Sequence, residues 1–196
     1  EETIEKISTN KLKKDRFIGA RYKSTSYVKA EFINDVAERG GYEDKALLKK
    51  SLENISDFMK RLLVRRFESC IYSFRSTLDN IIKSNHKILE YYEKEKVVRT
   101  LYIKLLVNTF DDFPEVKKLK KKGMWLIHKK ELNDNFHKDI KKDIKLLTDL
   151  RDRWDKVLND NFIDPKFAKF KTFLTEQLKK DKKRTLLVFS EFADTA

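Results

Sequence analysis

Three residue types are scarce in this chain: one cysteine, two prolines and four glycines among 196 residues. A single thiol, Cys70, excludes a disulfide within the chain and fits a reducing, cytoplasmic setting. It lies beside Ile71 with no base indicated near it, so it reads as a small packed apolar residue rather than a nucleophile. The three histidines, His86, His128 and His137, lack the HxxxH and HExxH spacings, which leaves no expected metal site. No GxxxxGK[ST] occurs, so no nucleotide phosphate loop is encoded. No apolar run approaches the roughly 18 residues that cross a bilayer, and no membrane partner or secretory leader is expected. Scarce Gly and Pro leave little to interrupt long helices.

Charge is what the chain has in abundance. Forty-five Lys and Arg stand against 32 Asp and Glu, a net charge of +13, and charged residues make up 39 % of the chain. That balance fits long amphipathic helices with a heavily charged surface. It also makes an anionic partner plausible, nucleic acid first, against the plainer reading of a solvated lysine-rich surface. The carboxylates all fit solvated helix faces, so no catalytic site is visible and the chain alone leaves the question of an enzyme open.

Along the chain, residues 1–26 are polar and carry no firm period; Ser8, Thr9, Ser24, Thr25 and Ser26 argue against a long helix there. Val28, Phe32, Ile33 and Val36 have helical spacing, and Gly40-Gly41 ends that helix. A second helix is expected over residues 43–66, with a break near Asn54 and Ser56 capping its second half. A third begins near Ser69, its stripe marked by Phe74, Leu78, Ile81, Ile82 and Ile88. The stretch KKLKKKGMWLIHKKEL, residues 117–132, holds seven lysines, with a short strand at MWLIH. Phe136, Ile140, Ile144, Leu147, Trp154 and Leu158 then predict a helix over at least residues 132–156. Trp125 and Trp154 read as core residues rather than stacking platforms. Asp164 and Pro165 mark a cap and first turn, with Phe167, Phe170, Phe173 and Leu174 expected to face inward. The unbroken run Leu186, Leu187, Val188, Phe189 reads as a strand buried on both faces, the kind found inside parallel sheets.

Two stretches together resemble a known family. FMKRLLVRRFESCIYSFRSTLDNI, residues 58–81, resembles the segment after the first motor lobe in bacterial helicases of the Swi/Snf type, DNA-dependent ATPases of superfamily two. The matching residues are Leu62, Leu63, Arg65, Arg66, Phe67, Glu68, Ser69 and Phe74. DPKFAKFKTFLTEQLKKDKKRTLLVFSEFADTA, residues 164–196, resembles the entry into the second RecA-like lobe. Between them, the charged helix after MWLIH looks like the helical connector of these proteins.

The resemblance implies a chain that begins at Glu1 as an excised piece: the helical region between two RecA-like lobes. It implies ATP and Mg in the parent, bound by motifs outside this segment, with none of its own residues holding a cofactor. DNA and the two lobes would be the partners. The expected fold is mainly α, an elongated bundle of long amphipathic helices with one apolar strand at the C-terminal end. The expected divisions are an irregular lead-in (1–26), a helical inter-lobe domain (27–183) and the first strand of a second lobe (184–196). Arg61, Arg65, Arg66, Lys117, Lys118, Lys120, Lys121 and Lys122 are the candidate nucleic-acid contacts. A stand-alone basic helical domain that binds nucleic acid or protein is the alternative.

Overall fold

A computed structural model describes residues 2–7, 16–39, 45–90, 92–93, 97–99, 126–159, 162–181, 183 and 185–189. These residues are mostly helical: α1 (Glu2–Ile7), a 3-10 segment (Ala20–Tyr27), a 3-10 turn (Ala30–Phe32), α2 (Ile33–Arg39), α3 (Lys45–Ser69) and α4 (Ile71–Glu90). After them come β1 (Val97–Arg99), β2 (Leu126–His128), a 3-10 turn (Lys129–Glu131), α5 (Asp134–Asn159) and α6 (Pro165–Lys180). β1 and β2 form one short antiparallel pair in which Val98 faces Ile127. None of the described helices is long and apolar enough to cross a membrane.

Helix α5 is the spine. Its buried residues Phe136, Ile140, Asp143, Leu147 and Leu150, with half-buried Trp154, recur at alternating steps of four and three, which keeps them on one face. The N-terminal part of that stripe packs Phe136 and Ile140 with Tyr27, Val28, Val36, Ile88 and Leu132. The C-terminal part packs Leu147 and Leu150 with Phe17, Tyr22, Met59, Leu63, Phe74 and Leu78. Two apolar clusters are thus threaded on one helix, and Asp143 falls between them. Arg75 of α4 grips Asp155 of α5 through two hydrogen bonds, at 2.7 and 3.3 Å, and also reaches Asp79 at 2.8 Å. These groups are partly exposed, so such pairs contribute only about 0–1 kcal/mol each and serve mainly to orient α4 on α5.

Several expectations hold. The helix expected over 132–156 is α5, which starts two residues later because Leu132 bridges Val28; the MWLIH strand is β2, and Asp164 caps α6 by accepting from the Lys166 amide at 2.9 Å, with Pro165 in the first turn. Trp154 is half-buried against the second cluster and donates to Thr3 Oγ1 at 3.3 Å.

Others differ, each for a physical reason. α3 runs unbroken past Asn54, and Ser56 is buried inside it, donating to the Ile18 carbonyl at 3.3 Å instead of capping a helix. α4 stops at Glu90. The helix expected from residue 27 starts at Ile33, because residues 27–29 bond residues 131–133 instead: Val28 bridges Leu132, the Lys29 amide donates to the Glu131 carbonyl, and Asn133 donates to Tyr27.

The largest differences lie at the two ends of the chain. The polar lead-in holds α1 and the 3-10 segment, and Ile7, Phe17, Ala20 and Tyr22 are wholly buried. Conversely, Phe167, Phe170 and Phe173 do not face inward. They are exposed, Phe167 at 61 % and Phe173 at 54 %, because no other described element covers α6. Residues 185–189 form no strand: a strand needs a hydrogen-bonding neighbour, and none of the described residues supplies one. Leu187 and Phe189 stand 80 % and 89 % exposed. Trp125 and the expected helix end at Gly40-Gly41 lie outside the described residues.

Candidate nucleic-acid interface

The site is built by how residues 2–7 and 16–28 lie along α5. They run antiparallel to it. Glu2 accepts from Arg153 at 2.6 Å, Thr3 meets Trp154, Ile18 and Ala20 meet Asp143, and Tyr27 donates to Asp139 at 3.0 Å. The Phe17 amide donates to the Lys6 carbonyl at 2.8 Å, which folds residues 16–18 back against α1.

Gly19 makes the central contact possible. Its φ of 70° and ψ of 36° lie in the left-handed region, and a Cβ there would stand 2.5 Å from Ser56 Oγ. This turn aims successive amides at one carboxylate: Ile18 N–H to Asp143 Oδ1 at 2.7 Å and Ala20 N–H to Oδ2 at 2.8 Å. Such a concave set of amides is an anion nest, here filled by the protein's own side chain. Burial pushes the Asp143 carboxyl up to about 7, against the pull of the Ala20 and Ile18 amides. Next to the nest, buried Arg21 bonds the Tyr22 hydroxyl at 2.8 Å and lies over the Tyr22 ring at 4.4 Å. Its Nε and Nη1 have no hydrogen-bond partner among the described residues.

Beside the nest lies a cleft of about 730 Å3 lined by Lys6, Arg16, Ile18, Lys142, Lys145, Leu146 and Asp149. Four cations from three parts of the chain thus face one carboxylate. Lys6 is paired with Glu2 at 3.2 Å and Lys142 with Asp139 at 3.2 Å, both on the surface. Arg16 also lies near Lys60 and Lys23: burial lowers the Lys60 pKa, Asp57 at 3.3 Å opposes this, and Lys23 and Arg16 add to the lowering.

A second cleft, about 560 Å3, is lined by Lys29, Tyr92, His128, Lys129, Lys130, Leu132 and Asp134. There Lys129 Nζ sits 4.7 Å over the Tyr92 ring, and the His137 ring stacks on the Tyr92 ring with centroids 5.3 Å apart. His137 bonds Glu93 at 2.9 Å, which holds the Glu93 carboxyl below its usual range. Tyr92 is buried, so it is no platform for a base.

Of the residues singled out from sequence, Arg61 and Arg65 are exposed on α3, one turn apart. Arg66 is not on that surface. It continues the buried spacing of Met59, Leu62 and Leu63 and is only 8 % exposed. Lys117, Lys118, Lys120, Lys121 and Lys122 lie outside the described residues. Among the described lining residues of the two clefts, Arg61, Arg65 and Arg66 do not appear. The cleft residues Lys6, Arg16, Lys142 and Lys145 escaped notice because they are far apart in sequence. One signal was present, the apolar cluster Phe17-Ile18-Gly19-Ala20 inside a polar lead-in. Among the described residues, no group of three or more His, Cys, Asp or Glu is placed to hold a metal ion.

Compared with protein-family models, characterised proteins and solved structures, the chain matches none.

Proposed function

We propose that this chain is the helical inter-lobe segment of an ATP-dependent DNA helicase or translocase, bracing the motor cleft and contacting the nucleic-acid backbone. The observation that carries the reading is the uncovered apolar surface of α6 and residues 187–189. Phe167, Phe173, Leu187, Val188 and Phe189 are all more than half exposed, as is Ile163 just before α6, whereas the members of the two apolar clusters are packed. Burying each such side chain contributes about 1.5–3 kcal/mol. A surface of this kind suits contact with a second folded unit, and a RecA-like lobe is the unit that the sequence resemblance supplies. The basic clefts suit the other half of the reading, since phosphate contacts are electrostatic and largely blind to sequence. Arg61 and Arg65 remain candidate contacts, and the lysines at 117–122 keep that status on sequence alone. ATP and Mg2+ belong to the parent's lobes in this reading, and no residue here is assigned to them. With one cysteine, the fold depends on no disulfide, which suits the cytoplasm.

A stand-alone basic helical domain that binds nucleic acid or protein is the second reading. It is favoured by the two closed apolar clusters, which include no residue of α6.

Fluorescence anisotropy with a short labelled duplex tests the nucleic-acid role. Binding should be weak and fall steeply between roughly 50 and 200 mM salt, as counterions are released. No binding at low salt, or binding indifferent to salt, would remove the direct DNA role and leave a spacer.

A further inference from the structure

The solvent side of α5 carries an unusual run. Lys138, Lys141, Lys142 and Lys145 recur at three- and four-residue steps and are all exposed. At 1.5 Å per residue the row is about 10 Å long. Within its span Asp143 is buried and Asp139 is half-buried, Lys141 reaches Glu93 at 3.6 Å, and Asp134, Asp149 and Asp152 flank it. Lys142 and Lys145 form one wall of the larger cleft, and Lys6 and Arg16 stand with them there. Within the row, Lys145 has no ion pair among the described residues, and Lys142 has only the exposed pair with Asp139.

From this arrangement we infer that the cleft between α1, residues 16–18 and α5 seats the phosphodiester backbone of a nucleic-acid duplex, with Lys142 and Lys145 as direct phosphate contacts. The inference rests on the nucleic-acid reading above and gives it a location. A linear row suits a polymer. Lys142 and Lys145, the two members of the row that line the cleft, lie one turn and about 4.5 Å apart along α5, a spacing that lets them meet neighbouring phosphates of one strand. Lys6 and Arg16 come from a different part of the chain and face the row across the cleft, which gives the strand two sides to lie between. Anchoring is provided beneath: the Asp143 nest fixes residues 18–20, and with them Arg16, at a set distance from Lys142 and Lys145.

The test compares two charge-matched variants of the whole chain by anisotropy across a salt series. K142Q/K145Q removes two cleft lysines, and K166Q/K169Q removes two exposed lysines from α6. All four positions are exposed, and circular dichroism confirms that both variants fold. K142Q/K145Q should lower duplex affinity by about tenfold at low salt and flatten the log–log salt slope by about 0.9 per phosphate lost. K166Q/K169Q should leave both unchanged. If the wild type binds duplex but K142Q/K145Q binds as well as it does, or if the two variants weaken equally, the cleft assignment fails while the nucleic-acid reading stands. If the wild type binds no duplex at low salt, both fail. A further arm titrates the chain directly with labelled polyglutamate: binding tighter than that of the duplex at the same salt, and lost in K142Q/K145Q, would assign the cleft to acidic proteins and overturn the proposal.

Discussion

Residues 16–28 and α6 are opposites. The first segment is RFIGARYKSTSYV, with seven charged or hydroxylated side chains in its last eight positions, yet it is almost wholly buried. α6 carries three phenylalanines on one short helix, yet none of its residues is buried. Composition therefore does not decide burial in this protein; the presence of a partner does. The polar segment has α5 beside it, which offers Asp143 and Asp139 to its amides and to Tyr27, and α3, which offers Ser56 to the Ile18 carbonyl. With its backbone groups satisfied, the segment can sink its few apolar side chains into both clusters. α6 satisfies its own backbone, and its phenylalanines meet no second surface among the described residues.

The comparison breaks most sharply at Phe17. F17A should destabilise the fold by about 3–5 kcal/mol, since the ring is wholly buried against Tyr22, with their centroids 6.5 Å apart, in a cluster shared with α3, α4 and α5. Denaturant melts check it; a loss below about 1 kcal/mol would show the lead-in to be peripheral.

Removing the carboxylate in D143A should lower stability by about 2–4 kcal/mol, because two buried amides lose their acceptor. Its pH dependence has a definite sign. The folded carboxyl titrates at about 7, above its ordinary value of 3.8. Between those values the folded state binds a proton that the unfolded chain releases, so the stability it contributes falls as pH rises through 7. The advantage of wild type over D143N in thermal midpoint should therefore shrink from pH 5 to pH 8. A widening gap would contradict the buried, raised carboxyl.

G19A is expected to cost about 1–2 kcal/mol from its left-handed backbone alone, with a further penalty from the approach of its Cβ to Ser56 Oγ at 2.5 Å. Adding S56A should relieve part of the second penalty and none of the first, which a double-mutant cycle in melts would resolve.

At the other end, F167S/F173S should change stability by less than about 0.5 kcal/mol and should improve solubility, measured by the concentration at which the chain begins to scatter light. A large loss of stability would mean that α6 belongs to the domain core.

The sequence made some of this contrast legible. α5 was readable because one apolar stripe holds over many turns, and the start of α6 because Asp-Pro is a local signal that needs no tertiary partner. Asp143 was not, since it is the acid that interrupts the stripe and a stripe is read from its apolar members. In retrospect, a carboxylate at a buried step of four and three is the mark of an internal acceptor. The 3-10 segment offered no 3.6-residue period to find. For α6, amphipathic spacing told which face is apolar and could not tell whether anything covers it. Arg66 was taken with a motif, although its spacing from Met59 and Leu63 already placed it on the buried face. The cleft cations come as two pairs, Lys6 with Arg16 and Lys142 with Lys145, more than a hundred residues from each other, which meet only through the fold.

Hydrogen exchange on the intact chain, resolved to single amides, tests most directly the claim that the polar segment is part of the core and α6 is not. The account predicts that the Ile18 and Ala20 amides, bound to Asp143, exchange as slowly as the core amides of α5, and that the amides of α6 exchange orders of magnitude faster. Fast exchange at Ile18 and Ala20, with protection across α6, would contradict it.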